Sequence, residues 1–167
     1  MKQTQIIFAI DPGNTESGYA IVELPDFNLY EFGKVENNEL LDIISKYKNI
    51  MPDVFAIEMV ASYGMPVGKD VFETCVWIGR FVEAIKGKKH SFIYRKDEKL
   101  CLCGKLTAKD SNIRQALIDR YAVFDFKTGK GTKKNPDVFY GVSKDVWQAI
   151  AVGVTYYEML DRGTSHE

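Results

Sequence analysis

The stretch Ile6-Ile-Phe-Ala-Ile-Asp11-Pro-Gly-Asn-Thr-Glu-Ser-Gly18 decides how the rest of the chain is read. Its five consecutive apolar residues, Ile6 to Ile10, suffice for a strand buried on both faces, and Pro12-Gly13 ends the run at once. Asp11 therefore stands at the mouth of a strand. There it is either a turn initiator ahead of Pro-Gly or a carboxylate that meets a cation or a ring of donors, because leaving it desolvated and unpaired is costly.

Working outward, Gly18-Tyr-Ala-Ile-Val-Glu-Leu24 and Leu29-Tyr-Glu-Phe-Gly-Lys-Val35, joined by a Pro25-Asp26 turn, complete an antiparallel meander of three strands. Leu40, Leu41, Ile43, Ile44 and Tyr47 mark a helix over residues 38–48, which Met51-Pro52-Asp53 ends. Val54-Phe-Ala-Ile-Glu58-Met-Val is a second strand of the buried type. The intervening helix lets it lie parallel to the first strand, bringing Glu58 beside Asp11. A helix over 70–85 follows, then the basic turn Lys86-Gly-Lys88-Lys89-His90.

Ser91–Arg95 and Leu100-Cys-Leu-Cys103 flank a charged patch, Lys96–Lys99, in what reads as an irregular strand region along which Cys101 and Cys103 alternate. Thr107 and Asp110 form a capping box for a helix whose buried face is Ile113, Leu117, Ile118 and Tyr121. Residues 127–136 combine four lysines with two glycines and a proline, the composition of a mobile basic loop. The last helix starts at Ser143 as N-cap, with Val142 and Trp147 as a hydrophobic staple. Asp145 falls in its first turn, where the helix dipole alone favours an acid by ~0.3–1 kcal/mol.

At 167 residues, 46% hydrophobic and 13% aromatic, the chain can bury a proper core, and one domain over residues 1–167 is expected. No apolar run approaches the roughly 18 residues of a membrane span, and no signal-peptide pattern opens the chain, so a cytoplasmic protein is expected. Three cysteines are too few for a disulfide framework, and none has a partner at zinc-ligand spacing. Net charge is −1, yet residues 1–58 hold 4 basic and 10 acidic side chains whereas residues 86–134 hold 14 and 5. Such a segment is either a solvated lysine-rich surface or the footprint of a phosphate backbone.

Asp11, Glu58 and Asp145 are each explicable singly, but they sit on three elements that converge at one end of the sheet. Clustered carboxylates repel unless cations neutralise them, and an oxygen-only donor set favours Mg²⁺ or Mn²⁺ over zinc. Two such ions ~3.5–4 Å apart hold both the attacking and the leaving oxygen of an in-line phosphoryl displacement.

Ala-Ile-Asp11-Pro-Gly-Asn-Thr-Glu-Ser-Gly-Tyr-Ala, Ala-Ile-Glu58 and Lys-Asp145-Val-Trp-Gln-Ala-Ile-Ala resemble, in order, the three acidic motifs of RuvC-type Holliday junction resolvases, particularly the shorter phage-borne members. Asp-x-Gly-x-Thr alone also opens the phosphate loop of actin-like ATPases, but 167 residues supply only one lobe of those. The resemblance implies an α/β, ribonuclease H-like fold: a five-stranded mixed sheet, three antiparallel strands then parallel ones, flanked by helices. It also implies a homodimer that uses Mg²⁺, two ions per site held by Asp11, Glu58 and Asp145, to nick four-way DNA junctions in pairs, leaving 5′-phosphate and 3′-hydroxyl ends. Lys99 resembles a family lysine near the scissile phosphate. The family's second lysine falls at Asp110 here, with Lys109 next door, and its stacking aromatic falls at Ala61, with Tyr63 displaced by two residues. Its fourth acidic or histidine ligand falls at Val142.

The basic side chains expected to hold DNA are Lys86, Lys88, Lys89, Lys105, Lys109, Lys127, Lys130, Lys133 and Lys134, with Tyr63 stacking. The alternatives are another ribonuclease H-like nuclease acting on branched DNA or RNA, or a non-catalytic junction-binding protein. For the 70–85 helix, Val71, Phe72, Cys75, Ile78, Gly79, Val82 and Ile85 make the stripe expected to pack on the sheet. Trp77 and Phe81 lie off that stripe and are expected in an isologous dimer interface.

Overall fold

The computed structural model describes residues 3–163. Its centre is a five-stranded sheet of order β3-β2-β1-β4-β5, built from β1 (Gln5–Asp11), β2 (Glu16–Leu24), β3 (Asn28–Glu36), β4 (Val54–Met59) and β5 (His90–Tyr94). β1, β2 and β3 form the antiparallel meander, while β4 runs parallel to β1 and β5 parallel to β4. This is the mixed ribonuclease H-like sheet that the motifs implied.

Strand alternation divides the buried run of β1 between two cores. Phe8 and Ile10, with Phe55 and Ile57 of β4, face α1 (Asn37–Tyr47) and α2 (Lys69–Ile85). Ile7 and Ala9, with Val54 and Ala56, face α4 (Asp110–Tyr121) and α5 (Lys144–Asp161). Helix α5 lies close on its face because the residues beneath it are small: a Cβ added at Gly153 would stand 3.2 Å from the Ala9 Cβ. The same period of two continues to the strand ends, so Asp11 and Glu58 point to the α5 side.

Three local expectations are corrected. Residues 95–103 are not strand: α3 (Arg95–Glu98) runs into a single π-helical turn, Lys99–Cys103, closed by Gly104 at φ 74°. The Leu-Cys alternation imitates a strand, but the turn buries Cys101 and Leu102 together. α4 starts at Asp110, with Lys109 rather than Thr107 at the N-cap, and the Asn112 side chain accepts the Lys109 N–H at 2.9 Å.

The α2 stripe is also rotated. Its buried residues are Thr74, Ile78, Phe81 and Ile85; Thr74 tolerates burial because its hydroxyl donates to the Asp70 carbonyl at 2.8 Å. Phe81 is thus fully buried in the chain's own core, not on an outward flank, and Trp77 is half-buried beneath the Arg80 guanidinium, 4.1 Å away. The apolar side chains that α2 turns outward are Phe72 and Val76.

Candidate active site

The mouth of β1 is held by a buried polar knot. The Gly13 N–H donates to the Ser17 hydroxyl (3.1 Å), which donates to the Asn37 side chain (2.6 Å), which donates back to the Gly13 carbonyl (2.9 Å). Gly13 is required there, since a Cβ would stand 2.2 Å from the Glu16 carbonyl oxygen. With Ser17 and Asn37 each 1% exposed, the turn after Asp11 is a fixed structure.

Asp11 pairs across the sheet with Gly18, and the next residue pair on the β4 side, Ile10 and Ile57, sets Glu58 beside it. Gly18 carries the approach of α5: a Cβ on it would come within 2.6 Å of the Asp145 carbonyl oxygen. Asp145 is therefore seated over the Asp11–Gly18 pair, and its charge is felt at Asp11. Its carboxylate, however, is taken by Lys34, whose ammonium lies 2.9 Å away and is shared with Glu16 at 3.6 Å. That hydrogen bond and charge hold the Lys34 ammonium above its ordinary pKa.

A fourth carboxylate, Glu98, arrives from α3 and is fully buried. It accepts from Arg95 at 3.2 Å and shares a hydrogen bond with Glu58. Arg95 is shared further: it meets Asp110, the first residue of α4, and the Gln148 side-chain oxygen on α5. Burial, then the charge and hydrogen bond of Glu58, raise Asp11 to about 9 against the pull of Arg95. Burial and the Glu98 charge raise Glu58 to about 7, and burial raises Glu98 to about 7. Near neutral pH this cluster holds protons that carboxylates ordinarily release.

A cleft of about 380 Å³ opens on the pair, lined by Asp11, Glu58, Ala61, Tyr63, Val71 and Arg95 among others. Tyr63 stands at its lip, 61% exposed and in the left-handed region at φ 49°, a conformation a bulky residue seldom adopts. The cation of the cleft wall is Arg95. Lys99, one residue past Glu98, is half-buried in the π turn and is not among the lining side chains.

The expected basic surface is divided. Lys86, Lys88 and Lys89 precede β5 and so lie at the opposite end of the sheet from Asp11 and Glu58, contrary to a single footprint around the site. Lys105 and Lys109 lead into α4, near Arg95. Lys127 and Lys130 border a second pocket, whereas Lys133 and Lys134 are exposed. The loop that carries these four is not an unanchored basic tail. Asp125 accepts from the N–H groups of Lys127, Thr128 and Gly131, and buried Asp137 accepts from those of Val123, Phe124, Asp125 and Val138. Val142, the position of the family's fourth acidic or histidine ligand, lies just before α5 and is core, 1% exposed.

Among the described residues, no three His, Cys, Asp or Glu side chains already stand around one point as a metal cage. The donor chemistry nevertheless fits a hard divalent cation: all oxygens, with Asp11, Glu58 and Glu98 buried in succession and holding protons that a cation would replace. Asp145 would be free to join such an ion only on release from Lys34.

No protein-family model and no curated protein sequence matches the chain. Solved structures do. RuvC of Thermus thermophilus in complex with Holliday junction substrate superposes with a TM-score of 0.72 at 15% identity, over 96% of this chain and 98% of that one. A second structure of Thermus thermophilus RuvC gives 0.70 at 17% identity, over the same shares of both chains. The chain has the fold of RuvC.

Proposed function

We propose that this chain is a metal-dependent endonuclease that resolves four-way DNA junctions. The observation that carries the reading is the convergence of Asp11, Glu58 and Asp145 from β1, β4 and α5 at one sheet end, in a chain whose fold is that of a protein solved on a Holliday junction. Asp11 and Glu58, with Asp145, would hold Mg²⁺ or Mn²⁺, which when bound supplies the charge stabilisation and nucleophile activation of phosphodiester hydrolysis, leaving 5′-phosphate and 3′-hydroxyl ends.

The chain's own residues do the rest. Arg95, on the cleft wall, would place positive charge where the transferring phosphoryl group gains negative charge, in the position the sequence assigned to Lys99. Tyr63 offers its ring at the cleft lip for stacking on a base at the junction centre. The Gly13–Ser17–Asn37 knot fixes the Asp11 carboxyl against the recoil of its neighbours. A homodimer formed through the outward face of α2, Phe72 and Val76, would present two sites to two strands. Three free thiols suit the reducing cytoplasm, where junction DNA is met.

One incubation tests this: a mobile four-way junction, a linear duplex and an RNA–DNA hybrid of one sequence, each with Mg²⁺ and with EDTA. Paired, metal-dependent nicks in the junction are expected. Cleavage of the hybrid alone would assign a different ribonuclease H-like nuclease, and junction binding with no cleavage in any metal would make the chain a non-catalytic junction binder.

A further inference from the structure

A second pocket, of about 440 Å³, lies between α4 and the loop that follows it, with Ser111, Arg114, Lys127, Lys130 and Trp147 on its walls. Three cations line it and no carboxylate does. Among the described residues none of the three is in an ion pair, although the chain has one more acid than base overall. Like charges held around one hollow repel, and the arrangement is relieved by an anion entering it. The loop side is held by design of the sequence. Asp125 and Asp137 tie its backbone down, and Gly129 packs so closely that a Cβ would meet the Phe139 ring at 2.7 Å. On the opposite wall the Arg114 guanidinium lies 5.8 Å from the centre of the Trp147 ring, which orients it.

The position of this pocket is as informative as its charge. Asp110, the first residue of α4, touches Arg95 of the carboxylate cleft, and the next residue, Ser111, lines the second pocket. Trp147 stands two residues beyond Asp145 on α5. The two hollows therefore flank the start of α4.

We propose that this pocket is a seat for one backbone phosphate of a nucleic-acid arm, with Arg114 as its main anchor and Lys127 and Lys130 closing over it. This rests on the nucleic-acid reading above and adds to it the point at which an arm is gripped away from the carboxylates. Arg114 suits the task because its planar fork donates two parallel hydrogen bonds to a phosphate, which a lysine cannot.

The test is binding of a labelled four-way junction in EDTA, so that nothing is cut, over a series of salt concentrations. Arg114→Ala, and independently Lys130→Ala, should weaken binding for every junction sequence alike and make the slope of log affinity against log salt less steep by about 0.9. Arg114→Lys should keep the slope and recover only part of the affinity. Junctions in which one phosphate at a time is replaced by a neutral methylphosphonate then locate the contact. One position should weaken the wild type and have no further effect on Arg114→Ala, the coupling expected of two groups in contact.

Unchanged slopes, or methylphosphonate penalties identical in wild type and Arg114→Ala at every position, overturn the seat. Titration of inorganic phosphate into the wild type, with binding lost in Arg114→Ala and no coupled junction position, overturns its assignment to a nucleic-acid backbone. A coupled position in a protein that nicks no junction supports the seat while refuting the nuclease reading; nicking without a coupled position does the reverse.

Discussion

Asp11→Asn should make the metal-free protein more stable while abolishing its chemistry. In the folded chain Asp11 keeps its proton up to about 9, against 3.8 ordinarily, because burial and the Glu58 charge disfavour its ionised form. Between those values the native state binds more protons than the unfolded one, so stability falls as pH rises. At pH 8 the interval is about four pH units at ~1.36 kcal/mol each, a ceiling of about 6 kcal/mol. Water entry and relaxation in an open cleft bring the expected effect to ~1–3 kcal/mol. An asparagine amide has the shape of the protonated carboxyl and donates to Glu58 in the same way, so it removes the penalty without leaving a cavity. In EDTA the variant should melt about 3–10 °C above wild type at pH 8, with a gap that shrinks toward pH 5. Mg²⁺ should raise the wild type and narrow the gap, because an ion that binds only the native state adds RT ln(1 + [Mg²⁺]/Kd). A variant less stable than wild type at pH 8, or a gap independent of pH, would refute the account of Asp11 as a carboxylate held against its own charge.

The remaining predictions concern the loop and the partner. Asp137→Asn removes acceptors from backbone N–H groups of Val123, Phe124, Asp125 and Val138 and should cost ~1–3 kcal/mol at pH 7. Against the desolvation that opposes it, those donors lower Asp137 to about 2. Its contribution is therefore complete above 3.8 and lost as pH falls toward 2, and urea denaturation at pH 7 and pH 3 should show the deficit shrinking. Phe72→Glu/Val76→Glu should convert a dimer to a folded monomer in light scattering behind a sizing column, since both side chains are more than half exposed; an unchanged dimer would place the interface elsewhere.

The strands were legible because a run of apolar residues between turn signals has few readings, and parity then places Asp11 and Glu58 on the same side without further information. Two helical segments were harder for opposite reasons. In α2 the buried face is centred on Thr74, which hydropathy counts as polar although its hydroxyl is satisfied by its own helix, so the phase was misread and Phe81 was turned outward. In residues 99–103 the Leu-Cys alternation has the period of a strand, and only the pairing of Arg95 with Glu98 across one turn spoke for a helix. The loop over 127–136 has a mobile composition, but the carboxylates that order it, Asp125 and Asp137, lie just outside the basic run.

Glu98 was hidden for the same reason: among Lys96, Asp97 and Lys99 it reads as one more solvated charge, whereas its burial depends on where α3 docks. Its discovery changes how the site balances its charge. Asp145 is countered by Lys34 and Glu98 by Arg95, while Glu58 stands between Asp11 and Glu98, hydrogen-bonded to both, with Arg95 the cation felt by all three. A divalent cation in the cleft would be held first by Asp11 and Glu58, where it would compete with the proton that their raised pKa values retain. Asp145 would join them only on release from Lys34, whose ammonium already lies 3.6 Å from Glu16. On the reading proposed above, the Asp145 carboxylate in the first turn of α5 would be a ligand held in reserve by Lys34.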